Sequence, residues 1–234
     1  MVGNDQYAIT NDGDLIYYVN NNKENYIMKN IFAAFLLMLS TTAFADLSGS
    51  ATITNDYVWR GMTQGAENAL QVGIDYNNDK GFYIGAWTSD VDFGGEVDRE
   101  VDLYAGWSGA LVDGVLDVTV GYIKYDYQGD AFDFEEYLVG FSSNGFTVNY
   151  YDTLDSDVYT IEAIYAVPFI TVVDVELIGY EIGGEGTEVF GKFQDSVGLR
   201  LTKELNDKFS VGFNVGQDLV ADSNYYAFSV SASL

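Results

Sequence analysis

The chain has 234 residues, with 10 Lys and Arg against 36 Asp and Glu, a net charge of -26. That charge repels phosphates and excludes nucleic acid as a partner, while 48% hydrophobic and 16% aromatic residues are far more than a disordered acidic tail carries. With no histidine and no cysteine, disulfides, thiolate or imidazole metal sites and Ser-His-Asp triads are excluded.

Carboxylate chemistry is left open, as glycosidase pairs or calcium sites. With so many acids, however, a chance pair carries little information. No enzyme activity, catalytic residue, metal ligand or cofactor is expected.

Residues 1–27, MVGNDQYAITNDGDLIYYVNNNKENYI, are polar and rich in asparagine. They read as a non-native or disordered leader with no packed structure. Residues 28–45, MKNIFAAFLLMLSTTAFA, have the plan of a secretory signal peptide. Lys29 supplies the positive region, Ile31 to Leu39 the apolar one, and Ala43-Phe44-Ala45 the cleavage site. The apolar run is about half of the roughly 20 residues that a membrane-spanning helix needs. Cleavage is expected after Ala45. The mature chain then keeps 32 acids (36 minus Asp5, Asp12, Asp14 and Glu24) and 8 bases (10 minus Lys23 and Lys29), a charge of -24.

From Asp46 onward the pattern is period two. Leu47, Ala51, Ile53, Tyr57 and Trp59 share one parity-defined face of the first run. Later, Val118, Val120 and Tyr122 alternate with Asp117, Thr119 and Gly121, and Phe228, Val230 and Ala232 alternate with serines. Twelve such runs are predicted as strands: 47–60, 69–77, 81–89, 99–108, 115–125, 134–143, 145–151, 157–167, 171–180, 194–202, 208–216 and 225–234. Several have the length of a tilted strand crossing a bilayer.

Short connections (77–80, 142–145, 168–171 and 205–208) alternate with longer ones (61–68, 89–98, 126–133, 152–157, 181–193 and 217–224), with 109–114 intermediate. That sorting is expected of an outer-membrane barrel with short periplasmic turns and longer outer loops. Tyr76, Phe82, Trp107, Phe141, Phe146, Tyr165 and Phe209 lie beside the short turns, as a periplasmic aromatic girdle would. Tyr57, Trp59 and Tyr122 lie toward the other end, on the same outward parity. The fold expected for 46–234 is therefore an all-β, antiparallel transmembrane barrel of about 12 strands. A soluble β-sandwich also alternates, with its apolar face inward, and is the structural rival.

The stretch DYVWRGMTQ (56–64), with ALQVGIDY (69–76) and GFYIGAW (81–87), resembles the opening of the TorF-like family of proteobacterial outer-membrane porins (Gcw_chp-type proteins). REVDLYAGW (99–107) and VGYIKYDY (120–127) resemble its middle segments. The matches run in order from Asp56 to Phe141, and the second half is similar only in general barrel character. "Porin" in that family name describes an architecture more than an activity.

On the same parity, Asp56 and Arg60 point inward. Pairing through 77–80 sets Gln71 opposite Trp87 and Asp75 opposite Tyr83, with Trp87 near Glu100. A mouth row of Arg60, Gln71, Trp87 and Glu100 is expected. Gly73 and Gly85 leave space below it, above a carboxylate row that includes Asp75 and Asp102. Asp117, Glu136, Glu162, Asp174, Glu176 and Arg200 are the other inward charges.

Two functions stay open ahead of a third, a secreted lipid-modifying barrel enzyme, which is weakest because no histidine is available to activate a serine. One is a channel for small cationic or neutral solutes with a cation-preferring lumen. The other is a sealed structural or adhesive barrel whose lumen is filled by hydrogen-bonded side chains. Outer-membrane lipids and the barrel-assembly machinery of a Gram-negative bacterium are the expected partners, and the sequence leaves monomer and oligomer equally open.

Overall fold

The computed structural model describes residues 7–9, 15–17, 47–94, 97–129, 132–185 and 195–233. Two compact units divide the chain, Met1–Ala45 and Asp46–Leu234. In the first, β1 (Tyr7–Ile9) and β2 (Leu15–Tyr17) form an antiparallel pair. Two strands alone fall short of a sheet that is stable by itself. The segment read as a signal peptide, 28–45, lies outside the described residues.

The second unit is a closed, antiparallel barrel of twelve strands. They are β3 (Leu47–Trp59), β4 (Met62–Asn77), β5 (Phe82–Asp90), β6 (Arg99–Val112), β7 (Leu116–Tyr127), β8 (Phe134–Ser143), β9 (Phe146–Thr153), β10 (Val158–Ala166), β11 (Asp174–Gly183), β12 (Ser196–Asn206), β13 (Phe209–Asp218) and β14 (Ser223–Ser233). Each strand pairs with its sequence neighbours, and β14 closes on β3 through Val230↔Ile53 and Ala232↔Ala51. Closure leaves no unpaired edge for aggregation.

Each of the twelve alternating runs overlaps one of these strands. One expected connection is absent: residues 62–68, read as an outer loop, belong to β4, so β3 and β4 are joined by Arg60 and Gly61 alone. The connection 167–173 is longer than expected, because β11 starts at Asp174.

The alternation decides between barrel and sandwich. The largest fully buried side chains are Glu100, Glu136, Thr160, Ser89 and Ser196. Ile53, Ile84, Leu103, Phe228 and Val230 are exposed on the opposite parity. A soluble sandwich buries its apolar face. Here the polar face is enclosed and the apolar face is turned out, in a belt far larger than the apolar patches of soluble monomers. Tyr76, Phe82, Phe141, Phe146 and Phe209 are exposed beside the short connections. Trp107 Nε1 donates to Lys80 O in the same region, and Tyr165 stacks on Phe146 with ring centroids 4.3 Å apart. Tyr122 packs against exposed Tyr137 at 5.8 Å.

Val120 sits on this outer face, and its neighbour Gly121 lies inside under the Tyr83 hydroxyl. Val120→Arg is expected to cost about 2–4 kcal/mol if the position lies near a bilayer midplane, and Thr119→Ser, at the inward neighbour that shares a hydrogen bond with Ser108, far less. Refolding yields into lipid vesicles check this; equal losses at the two sites would overturn the assignment of faces.

Candidate functional site: a hairpin folded into the barrel

The site is built by a fault in one ladder. β3 and β4 pair regularly through Thr54↔Ala69 and Asp56↔Glu67, and the register then shifts, resuming at Val58↔Thr63. Tyr57 therefore stands opposite three residues, 64–66. Extra residues on one strand kink a ladder and increase its twist. Gly65 (φ 78) and Asn68 (φ 59) take the left-handed conformations that the fault requires. The tip is a two-residue turn with positive φ at both central positions, Arg60 (φ 47) and Gly61 (φ 83), the geometry favoured in tight hairpins.

Beyond the kink the hairpin turns into the barrel. Arg60 donates to both carboxylate oxygens of Glu136 on β8, from Nη1 at 2.8 Å and from Nη2 at 2.7 Å. It also donates to Thr160 Oγ1 on β10 at 3.0 Å. Ser196 Oγ on β12 donates to Arg60 O at 3.3 Å. In the ring order, β8 and β10 each lie five strands from β3, so these bonds cross the interior. The guanidinium is clamped between two rings, 4.3 Å from Trp59 and 4.0 Å from Tyr151. Arg60 and Glu136 are almost wholly buried. Glu136 also accepts from Tyr125 OH at 3.0 Å and Thr153 Oγ1 at 3.2 Å. This bidentate, fully satisfied arrangement is the one in which a buried pair offsets its desolvation.

Three expectations are corrected here. Tyr57 and Trp59 are not on the outer girdle. Tyr57 is buried against Trp87, with ring centroids 5.3 Å apart, and Trp59 packs edge-on against Tyr125 and Phe134. Parity fails because the kink carries both faces of the hairpin inside. The row of Arg60, Gln71, Trp87 and Glu100 does not form either. Asn78 Oδ1 accepts from Lys80 N and Phe82 N, lengthening the turn so that Gln71 pairs Ser89, Gly73 pairs Trp87, and Asp75 pairs Gly85. Glu100 then faces Ser89, and Asp102 faces Trp87. A slip of two residues moves partners without moving faces. Thirdly, Gly85 leaves no open space, because the ring of Tyr104 lies against it and its hydroxyl donates to Asp75.

The remaining inward positions are mostly partnered. Glu100 accepts from Tyr127 OH at 2.8 Å, while its Oε2 and Asp102 Oδ1 have no partner among the described residues. Glu162 accepts from Asn149 and Tyr151. Arg200 pairs with Glu176 at 3.0 Å. Gln71 reaches Ser89 Oγ at 3.4 Å. Asp56 accepts from Thr63 beside the register shift. Asp117 and Asp174 are exposed near the opposite end of the barrel. The sequence signal for this folded-in hairpin was the glycine pair, Gly61 and Gly65, flanking MTQ.

Two cavities flank the hairpin and share no lining residue. One, of about 500 Å³, is lined by Trp59, Phe93, Tyr127, Phe132 and Phe134 above the Arg60–Glu136 pair. The other, of about 240 Å³, is lined by Thr52, Tyr57, Gln71, Trp87, Arg200 and Asn214.

Charge is unevenly divided between the barrel's ends. The hairpin tip shares its end with connections 91–98, 128–133, 154–157, 184–195 and 219–222. Their described residues include Asp92, Asp98, Asp133, Asp155, Asp157, Glu185, Asp195 and Asp222, with no lysine or arginine. At the other end, Asp79, Asp113 and Asp207 are largely offset by Lys80 and Lys208.

A closed barrel of twelve antiparallel strands with an apolar exterior and a polar, charged interior has the fold of an outer-membrane porin. Solved porins agree with this. The KdgM porin superposes with a TM-score of 0.60 at 10% identity, over 80% of this chain and 97% of its own. The NanC porin gives 0.51 at 8% identity, over 80% and 97%. The outer membrane protein Omp33 of Acinetobacter baumannii gives 0.51 at 11%, over 81% and 97%. At such identities the likeness is one of fold. No curated protein matches the sequence significantly. The chain belongs to the family described as "Bacterial protein of unknown function (Gcw_chp)", whose model matches residues 40–167, more than half of its length.

Proposed function

We propose that this chain is an outer-membrane channel for small neutral or cationic solutes, and that the β3–β4 hairpin forms its constriction. The observation that carries this reading is the Arg60–Glu136 pair, which holds a hairpin tip across the interior. The porin fold and the outward apolar belt support the membrane setting, with lipids outside and the assembly machinery as a transient partner. The resemblance to TorF-like porins fits the same setting. Export through the segment 28–45 implies that the mature protein begins at Asp46; N-terminal sequencing of the membrane form tests this, and a form retaining residues 1–27 would refute it.

Solute charge follows from what lines the way. Of the inward bases, Arg60 is neutralised by Glu136 and Arg200 by Glu176. Asp75, Glu100, Asp102 and Glu162 have no basic partner among the described ion pairs. A KdgM structure is described as a complex with disordered oligogalacturonate, which is a polyanion. The interior described here is unsuited to such a ligand.

Inward carboxylates enrich cations in a narrow, wet lumen, within a screening length of about 10 Å at 0.1 M salt. The reversal potential of the refolded protein in a salt gradient should therefore show cation preference that weakens as salt rises. Asp75→Asn with Glu162→Gln, at part-exposed inward positions, should reduce it. Preference for anions at low salt would sink the reading. Absence of conduction from the wild type and from a variant with the hairpin unpinned would favour the second reading, a sealed structural barrel, which the dense interior hydrogen bonding supports.

A further inference from the structure

We propose that the larger cavity, at the acidic end of the barrel, is a binding site for organic cations of the alkylammonium class. The proposal deepens the channel reading by naming a solute class, and rests on that reading only for the solute's onward passage. Three observations carry it.

The first is the wall. The cavity of about 500 Å³ is lined by Trp59, Phe93, Tyr127, Phe132 and Phe134, within the range of small-molecule sites. The rings brace one another: Phe93 lies 5.7 Å from Tyr127 and 5.4 Å from Phe132 by centroid, and Tyr127 stacks at 6.4 Å on Phe134. Aromatic faces attract a weakly hydrated cation through the ring quadrupole. A hard metal ion prefers carboxylates and carbonyls, and the carboxylate that also lines the cavity, Glu136, has both oxygens taken by Arg60.

The second is that this lining already holds a cation. Arg60 lies 4.3 Å from the Trp59 centroid. Because Glu136 cancels its charge at 2.7 Å, the cavity floor neither repels a second cation nor attracts an anion.

The third is recruitment. The surrounding connections carry eight described acids and no described base, counted from the residues named above. Such one-signed rims concentrate oppositely charged ligands and speed their arrival, with strong dependence on salt. An anionic solute is repelled at the rim, and a neutral one gains nothing from it.

The experiment is calorimetric titration of the full refolded barrel, in zwitterionic micelles at low salt, with choline and with its uncharged isostere 3,3-dimethylbutan-1-ol. Choline is expected to bind at least about tenfold more tightly than the alcohol, and more weakly as salt rises. Phe93→Leu and Phe132→Leu, both in connections outside the ladder, should each weaken choline about three- to tenfold with an unchanged circular dichroism spectrum. Equal binding of choline and the alcohol, unchanged affinity in both leucine variants, or no binding at all would each overturn the proposal. A barrel that binds choline but does not conduct, with the hairpin pinned or unpinned, supports the site and refutes the channel. One that conducts but does not bind choline overturns the site alone.

Discussion

Glu136→Ala is expected to be among the most damaging single substitutions in the barrel interior. It leaves the Arg60 guanidinium buried with Thr160 and two aromatic rings, but with no carboxylate. Removing one partner of a buried ion pair typically costs about 3–5 kcal/mol, because the remaining charge has lost its compensation. The barrel ladder does not depend on this bond, so the cost falls on the docked hairpin. The tip should leave its seat rather than the strands unfold. Thermal denaturation followed on gels and by circular dichroism should show an earlier loss of the compact form, with β-content preserved below that transition. Arg60→Ala together with Glu136→Ala should recover much of the loss, since no charge is then stranded. A single variant as stable as wild type would mean that the pair does not hold the hairpin.

The second large effect is expected at Gly61. Its φ of 83° already disfavours any side chain, and a Cβ there would lie 2.0 Å from Ser196 Oγ and 2.4 Å from Ser196 Cβ. Ser196 is itself fully buried and cannot withdraw. Gly114 provides the control: its φ is 68°, with nothing within 4 Å of a Cβ. Gly114→Ala should cost only the left-handed backbone penalty, about 1–2 kcal/mol. Gly61→Ala should cost that plus displacement of the tip. Comparable stability losses in the two variants, measured in the same micelles, would contradict the seating of Gly61 against Ser196.

These effects were only partly legible in the sequence. The strands were, because alternation is a local property: Leu116 to Tyr122 and Phe209 to Val215 show their faces in seven residues each. Closure was also legible, through twelve runs and sorted connections. Parity failed at Tyr57 and Trp59, since it assumes a straight strand and the β3–β4 register shift bends this one. The partner of Arg60 was illegible for a different reason. Glu136 lies 76 residues away, and sequence alone ranks it no higher than any other inward acid. The glycines around MTQ marked an irregular backbone without saying where it would point. The Gln71–Ser89 register was missed through a side chain: Asn78 caps its own turn and lengthens it, which a residue count between strands does not reveal.

The central claim is that a hairpin pinned by Arg60 and Glu136 narrows the barrel. Single-channel conductance in planar bilayers tests it most directly, comparing wild type with the variant carrying both Arg60→Ala and Glu136→Ala. That variant strands no charge and is expected to keep the twelve-strand ladder. Its conductance should be several-fold higher than the wild-type value and should fluctuate as the unpinned tip moves in and out of the lumen. Conductance identical to wild type, with the barrel shown to be folded, would contradict the claim.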